Sequence, residues 1–272
     1  MIIKKYIILF LFLFSFTSIF CQIKLKIYAE KTKNGYTILA ENDEFCPVSV
    51  NLDFSLNNMI STNGNNKIFV VPARTKGYFI TKLDINKRGK YGYNYKTNYN
   101  YGDHFNEDTD VDFVYELPFE KNKSFKLHQG YNGSFSHQNE FSLDFTMPVD
   151  TYIYAARSGV VIKVVENNSI TCPKKECAKY NNEILIFHAD GTFSIYAHIN
   201  KNGSLVKVGD EILTGQLLAK SGNIGFSTGP HLHFSVFNQK LKGRETLKTK
   251  FKINDGQEEI YLKEKENYTK KY

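Results

Sequence analysis

The sequence predicts an all-β protein made of two successive β modules, and three observations carry that prediction. Apolar residues recur with a period of two rather than 3.6, the short runs are bounded by Gly, Asn and Asp, and no segment of the second half carries a sustained helical stripe. In the first half, Val48, Val50, Leu52, Phe54 and Leu56 alternate with Ser49, Asn51, Asp53 and Ser55, as in a half-buried strand. Similar runs at Ile23 to Ala29, Tyr36 to Ala40, Lys67 to Val71 and Tyr78 to Leu83 predict a β-sandwich-like domain over 22–122.

Tyr91, Tyr93, Tyr95, Tyr99 and Tyr101 interleave with Gly92, Asn94, Lys96, Asn98 and Asn100, so most line one face of a ribbon. That face either stacks on sugar rings or covers the core of a small sheet, and the preference of aromatics for strands favours the second. Asp103, Glu107, Asp108, Asp110 and Asp112 follow in a turn-prone stretch whose spacing does not fit an EF-hand, so a solvated linker is expected, with the boundary near Lys121 to Lys123. Strands are predicted again at Tyr152 to Ala155, Gly159 to Val165, Glu183 to His188, Thr192 to His198 and Leu232 to Phe237, within a second domain over 123–240. The remainder, 241–272, reads as one or two accessory strands and a polar, basic tail.

At the N-terminus, Lys4 and Lys5 precede an apolar run from Tyr6 to Phe20, and polarity returns at Gln22. This is the layout of a signal peptide over 1–21, because a membrane span needs about 20 predominantly apolar residues and this run is shorter and contains Ser15, Thr17 and Ser18. Cleavage is expected near Cys21 or Gln22, with lipidation at Cys21 as the alternative. The expected location is therefore periplasmic, cell-envelope or extracellular, and the mature chain is expected to be monomeric without stable membrane insertion. Net charge is +7, or +5 without Lys4 and Lys5, which suits an anionic partner such as wall polymer. Nucleic acid is not expected, since the basic residues are scattered or lie after Lys240. Of four cysteines, Cys172 and Cys177 flank a short polar insert and are expected to pair in an oxidising compartment, leaving Cys46 as the odd one out.

Six of the seven histidines fall in the second domain, among them His137, His188, His198, His231 and His233. Strand alternation places His231 and His233 on one face with Leu232 opposite, where two imidazoles can share a polar cavity as ligands or as ligand and catalytic group. The same alternation puts Tyr196 and His198 on one face, with Ala197 turned away. The stretch from Ser221 to Pro230 lacks the GxGxxG spacing of a nucleotide loop and leads into a strand, so it is expected to be a shaped turn. His188 is expected to be structural, and His104 and His128 to face solvent.

Gly229-Pro230-His231-Leu232-His233-Phe234, preceded by Gly215-Gln216 and Ser221-Gly222-Asn223-Ile224-Gly225, resembles the signature of the lysostaphin-type M23 peptidases. Asp190-Gly191, Tyr196-Ala197-His198 and Val208-Gly209-Asp210 fall in the family's order, and the resemblance runs from Gln129 to Phe237. It implies an antiparallel β-sheet groove, a zinc ion held by His137, Asp144 and His233, catalytic histidines at His198 and His231, and peptidoglycan as substrate. Tyr131 resembles a groove tyrosine that donates to the oxyanion or is purely structural. The first ligand pair departs from the family: six residues separate His137 from Asp144 where three are usual, and Glu140 sits at the nearer spacing. Asp144 is preferred because Asp144-Phe145, Pro148, Ala155-Ala156 and Gly159-Val160-Val161 continue the pattern, which makes Gln138 to Ser142 a looped insertion. Two imidazoles and one carboxylate leave zinc a fourth position for water, the open arrangement of a catalytic site. The other functional classes consistent with the resemblance are a non-hydrolytic wall-binding or activator protein and a protease of glycine-rich proteins outside the wall.

Overall fold

A computed structural model describes residues 23–272; the signal peptide expected over 1–21 lies outside the described residues. Seven strands open the chain: β1 (Leu25–Thr32), β2 (Gly35–Asn42), β3 (Val48–Asn57), β4 (Met59–Ser61), β5 (Asn66–Val71), β6 (Thr75–Ile85) and β7 (Gly92–Tyr101). They form two sheets, in the orders β1-β2-β6-β4 and β5-β3-β7. Period-two alternation gives each sheet one apolar face, and both faces feed one core: Ile38, Ala40, Met59, Ile80 and Leu83 from the first, Val50, Leu52, Phe54 and Val71 from the second. Tyr93, Tyr95 and Tyr99 of β7 pack half-buried against this core, with the Tyr93 and Tyr95 rings 6.5 and 5.7 Å from that of Phe54. The tyrosine row thus covers apolar side chains.

Fifteen short strands follow β8 (Val114–Tyr115) and β9 (Ser124–Gln129). They are β10 (Ser142–Thr146), β11 (Tyr152–Tyr154), β12 (Gly159–Val165), β13 (Thr171–Cys172), β14 (Glu183–Phe187), β15 (Phe193–Ala197), β16 (Ile199–Ser204), β17 (Glu211–Ile212), β18 (Leu217–Ser221), β19 (Gly225–Phe226), β20 (His231–Gln239), β21 (Arg244–Leu247), β22 (Lys250–Ile253), β23 (Glu258–Tyr261) and β24 (Asn267–Thr269). Nine of these strands form one sheet in the order β17-β12-β14-β15-β20-β10-β9-β24, with β21 also on β20. One face of it, carrying Leu143, Phe145, Ile184, Ile186, Tyr196, Leu232 and Phe234, buries against Leu218 and Ala219 of β18 and Phe251 of β22. The opposite face carries Phe193, Ile195, Ala197 and Phe237, which pack with Cys46, Val48 and Tyr101 from the N-terminal strands. The two β modules therefore share a core.

Two expectations about the edges of the second module differ from what is observed. Tyr115, Leu117 and Phe119 precede Lys121 yet belong to the second core, Leu117 and Phe119 with no exposed surface. The chain enters this core before the expected linker ends, because Leu117-Pro118-Phe119 is the apolar part of that stretch. The C-terminus is also not a free polar tail. β24 pairs with β9, where it satisfies the backbone of what would otherwise be the sheet edge. The Lys270 amine lies buried 2.8 Å from Glu116, and the Tyr272 hydroxyl accepts from the Leu117 N–H at 3.0 Å and donates to the Lys252 carbonyl at 2.9 Å.

Candidate active site

Strand register assembles half of the site. In the β10–β20 pair Asp144 lies opposite His233 and Thr146 opposite His231, so all four side chains share one face. His233 Nδ1 is 2.9 Å from Asp144 Oδ1, and His231 Nε2 is 3.8 Å from the same oxygen. His137 comes from the turn-rich loop between β9 and β10, which brings its Nε2 to 3.3 Å from Asp144 Oδ2. Glu140, at the shorter spacing, is outside this group: its Oε2 lies 3.7 Å from Arg244 Nη2 and accepts from the Ser142 hydroxyl at 3.4 Å.

His198 reaches the site in a way that alternation did not foresee. Ala197, not Tyr196, lies opposite His233, and Tyr196 lies opposite Phe234 on the core face. Tyr196 is fully buried, with its hydroxyl accepting from the Ala156 N–H at 2.8 Å. His198 escapes that face because β15 ends at Ala197 and His198 adopts a left-handed backbone, φ 64°. That conformation costs a non-glycine residue about 1 kcal/mol or more, and such strain gathers at functional positions. The result is a ring 4.5 Å from that of His231 and 6.0 Å from that of His233.

The backbone fixes which nitrogen each imidazole shows the cavity. His137 Nδ1–H donates to the Gly130 carbonyl at 3.1 Å, His198 Nδ1–H to that of Ile224 at 2.7 Å, and His231 Nδ1–H to that of Gly229 at 2.8 Å. Nε2 of each is then a lone pair. His137 is 1% exposed and its Nε2 has no hydrogen-bond partner, so in the neutral ring a lone pair faces the Asp144 carboxylate in the protein interior. A cation between them resolves that arrangement. Ligand atoms of His137, Asp144 and His233 all lie within 4.8 Å of one another, so this group could hold a metal ion.

Charges in the site follow from the same contacts. Burial raises the Asp144 carboxyl, but its contacts with His137 and His233 outweigh this and hold it well below the usual range. Burial lowers His137, and the Asp144 carboxylate beside it more than compensates, so its net shift is upward. Burial and the neighbouring imidazoles of His231 and His233 push His198 down to about 3, and burial lowers His231. Both are neutral bases at neutral pH.

Residues 138–245 match the profile of Peptidase family M23, a span that includes Asp144, His198, His231 and His233, with His137 immediately before it. The chain carries an M23 peptidase domain. Its M23 segment is 34% identical over 101 residues to the peptidoglycan DD-endopeptidase ShyA of Vibrio cholerae, covering 37% of this chain and 20% of that protein. It is 35% identical over 106 residues to the glycyl-glycine endopeptidase ALE-1 of Staphylococcus capitis, covering 39% and 25%. The chain thus spans a quarter or less of these relatives' length. The catalytic domain of lysostaphin from Staphylococcus simulans is 26% identical, with 46% of this chain and 88% of that domain covered and a TM-score of 0.34.

In the M23 domain the histidines open onto a cleft of about 520 Å³ lined by residues between His128 and Arg244. Tyr131 is not among them. Its hydroxyl donates to the Thr249 carbonyl at 2.6 Å and its ring packs 6.1 Å from that of Phe141, contacts that fit the structural alternative. His188 is structural as expected: Nδ1–H donates to the Ser158 carbonyl at 2.7 Å and Nε2 accepts from the Ser194 hydroxyl at 3.0 Å. His128 is exposed but lines the cleft mouth, and His104 is half-buried, its Nδ1 accepting from the Leu241 N–H at 3.2 Å. Cys172 and Cys177 are disulfide-bonded and Cys46 is free and buried. Sequence reasoning missed Gln129, Phe135, Lys175, Phe226 and Arg244 in the lining. Only Gln129 left a signal, as the first residue of the Gln129-Gly130-Tyr131-Asn132-Gly133 segment.

Proposed function

We propose that this protein is an exported zinc endopeptidase that hydrolyses peptide bonds of peptidoglycan stem peptides or cross-links. The observation that carries the reading is the convergence of His137, Asp144 and His233 at the floor of a cleft onto which the lone pairs of His198 and His231 open. Two imidazoles and a carboxylate suit zinc, which when bound polarises a carbonyl and acidifies water. His198 and His231 orient the attacking water through Nε2. His231, whose Nε2 lies 3.8 Å from the Asp144 carboxylate, is placed to take a proton from that water and return it to the leaving amine. The likeness to wall endopeptidases, the net charge of +7 and the lysine-led apolar N-terminus support a wall substrate and export. No helix among the described residues is long and apolar enough to cross a membrane.

Metal analysis is expected to give about one zinc per chain. Digestion of purified sacculi is expected to stop on chelation, and His231→Ala to lower turnover by about 10²–10⁴-fold. Mass spectrometry of the digest identifies the bond from the newly exposed amino terminus. A zinc-free protein that still binds sacculi would overturn the hydrolytic reading in favour of a wall-binding activator.

A further inference from the structure

Gln129 is the last residue of β9 and lies directly opposite Asp144 of β10. It is 6% exposed, and its amide is engaged at both ends. Oε1 accepts from the backbone N–H of Phe135 at 3.1 Å and of Ser136 at 3.2 Å. Those two donors fix the amide orientation, so Nε2 is the donor end, and it gives one hydrogen to the Ser136 hydroxyl at 2.8 Å and the other to Asp144 Oδ2 at 3.0 Å. One side chain therefore ties down the residues just before His137 while holding the carboxylate seven positions further on. Other hydrogen bonds also hold the loop between β9 and β10, His137 Nδ1–H to Gly130 O at 3.1 Å, Asn132 N–H to Glu140 O at 2.8 Å and Phe141 N–H to Thr246 Oγ1 at 2.7 Å among them, but none of these reaches the Asp144 carboxylate.

We propose that Gln129 is a positioning residue for the metal centre, setting the distance between His137 and Asp144 across their long separation in the chain. The inference rests on the reading of His137, Asp144 and His233 as a metal site. A ligating carboxylate needs its remaining lone pairs satisfied and its plane fixed, and loss of such an outer partner typically weakens metal binding by about 10–100-fold. Gln129 supplies that partner and, with the same amide, restrains Phe135 and Ser136 beside His137, whose ring is held in turn by the Gly130 carbonyl.

The test measures zinc affinity of the full chain by competition with a chromophoric chelator, alongside thermal melting of the metal-free protein. Gln129→Met keeps the bulk and loses both ends of the amide. Gln129→Glu keeps acceptors for Phe135 and Ser136 but loses the donor to Asp144. Both are expected to bind zinc about 10–100-fold more weakly while the metal-free forms still melt cooperatively. Wild-type affinity in either variant would overturn the proposal, and so would loss of folding in both, which would make Gln129 a general structural residue. A wild-type chain that takes up no zinc would end the metal-site reading and this inference with it, a result separate from a variant that binds as well as wild type.

Discussion

His198 shows how much one backbone angle decides. With ordinary strand geometry its ring would follow Tyr196 into the core; at φ 64° it closes the cleft beside His231. Because its Nδ1 is held by Ile224 and its ring is not among the three residues that could hold a metal ion, its loss should spare the proposed metal. His198→Ala is expected to lower turnover by about 10²-fold or more while zinc content by elemental analysis stays at the wild-type level. A second histidine reports on stability instead. Burial is the main cause that depresses His188 from its ordinary 6.5 to about 4, so the folded state resists the protonation that the unfolded chain accepts. Its contribution is complete above pH 6.5 and is lost as pH falls from there towards 4, by an amount of order 3 kcal/mol. Urea unfolding at pH 7 and pH 5 should show this loss in the wild type and a shallower dependence in His188→Gln.

Among the elements, the disulfide-closed insert acts at a distance from its own covalent bond. β13 pairs in parallel with β19, the Gly225 N–H donates to Ile170 O at 2.8 Å, the Ser227 N–H to Cys172 O at 3.2 Å, and the Phe226 N–H to Asn181 Oδ1 at 3.0 Å. The Thr171 hydroxyl adds a hydrogen bond to Asn223 O. The loop so braced carries Ile224 and Gly229, whose carbonyls orient His198 and His231. Removing the bridge should loosen those two rings and leave the proposed metal ligands His137, Asp144 and His233 in place. The double variant Cys172→Ser with Cys177→Ser is expected to keep its zinc and lose turnover by about 10-fold to 10²-fold, since small misplacements of catalytic groups cost that much. Unchanged turnover would show that the strand pairing alone suffices.

For the molecule as a whole, the N-terminal strands and the cleft lie on the same face of the large sheet. Phe193 and Phe237 face each other across β15 and β20, as do Ile195 and Ser235, and the next pair in that ladder is Ala197 with His233. The N-terminal module covers the apolar end of this ladder and the cleft occupies the polar end. All cleft-lining residues lie between His128 and Arg244, so the module seats the sheet without walling the cleft. A fragment beginning at Ser124 is consequently expected to aggregate or melt well below the full chain. It would lose Tyr115, Leu117 and Phe119 from one core and Cys46, Val48 and Tyr101 from another, at about 1.5–3 kcal/mol for each large apolar side chain left unburied. Cooperative melting of that fragment at the wild-type temperature would contradict the shared core.

Alternation along Val48 to Leu56 and the His231-Leu232-His233 triplet are local facts, so the β class, most strands and the pairing of His231 with His233 on one face were legible in the sequence. The order of glycine-flanked motifs likewise pointed to Asp144 over Glu140, and Asp144 lies with His137 and His233 in a group that could hold a metal ion. Tertiary structure alone decided the rest: which way His198 turns where its strand stops, that the Tyr131 hydroxyl bonds Thr249, that Gln129 spans Ser136 and Asp144, and that Lys270 and Tyr272 close the core at Glu116 and Leu117. Periodicity records which side of its own strand a residue prefers, whereas a strand's end, a loop's path and a hydrogen-bond partner far along the chain are fixed only when separate strands pair and pack.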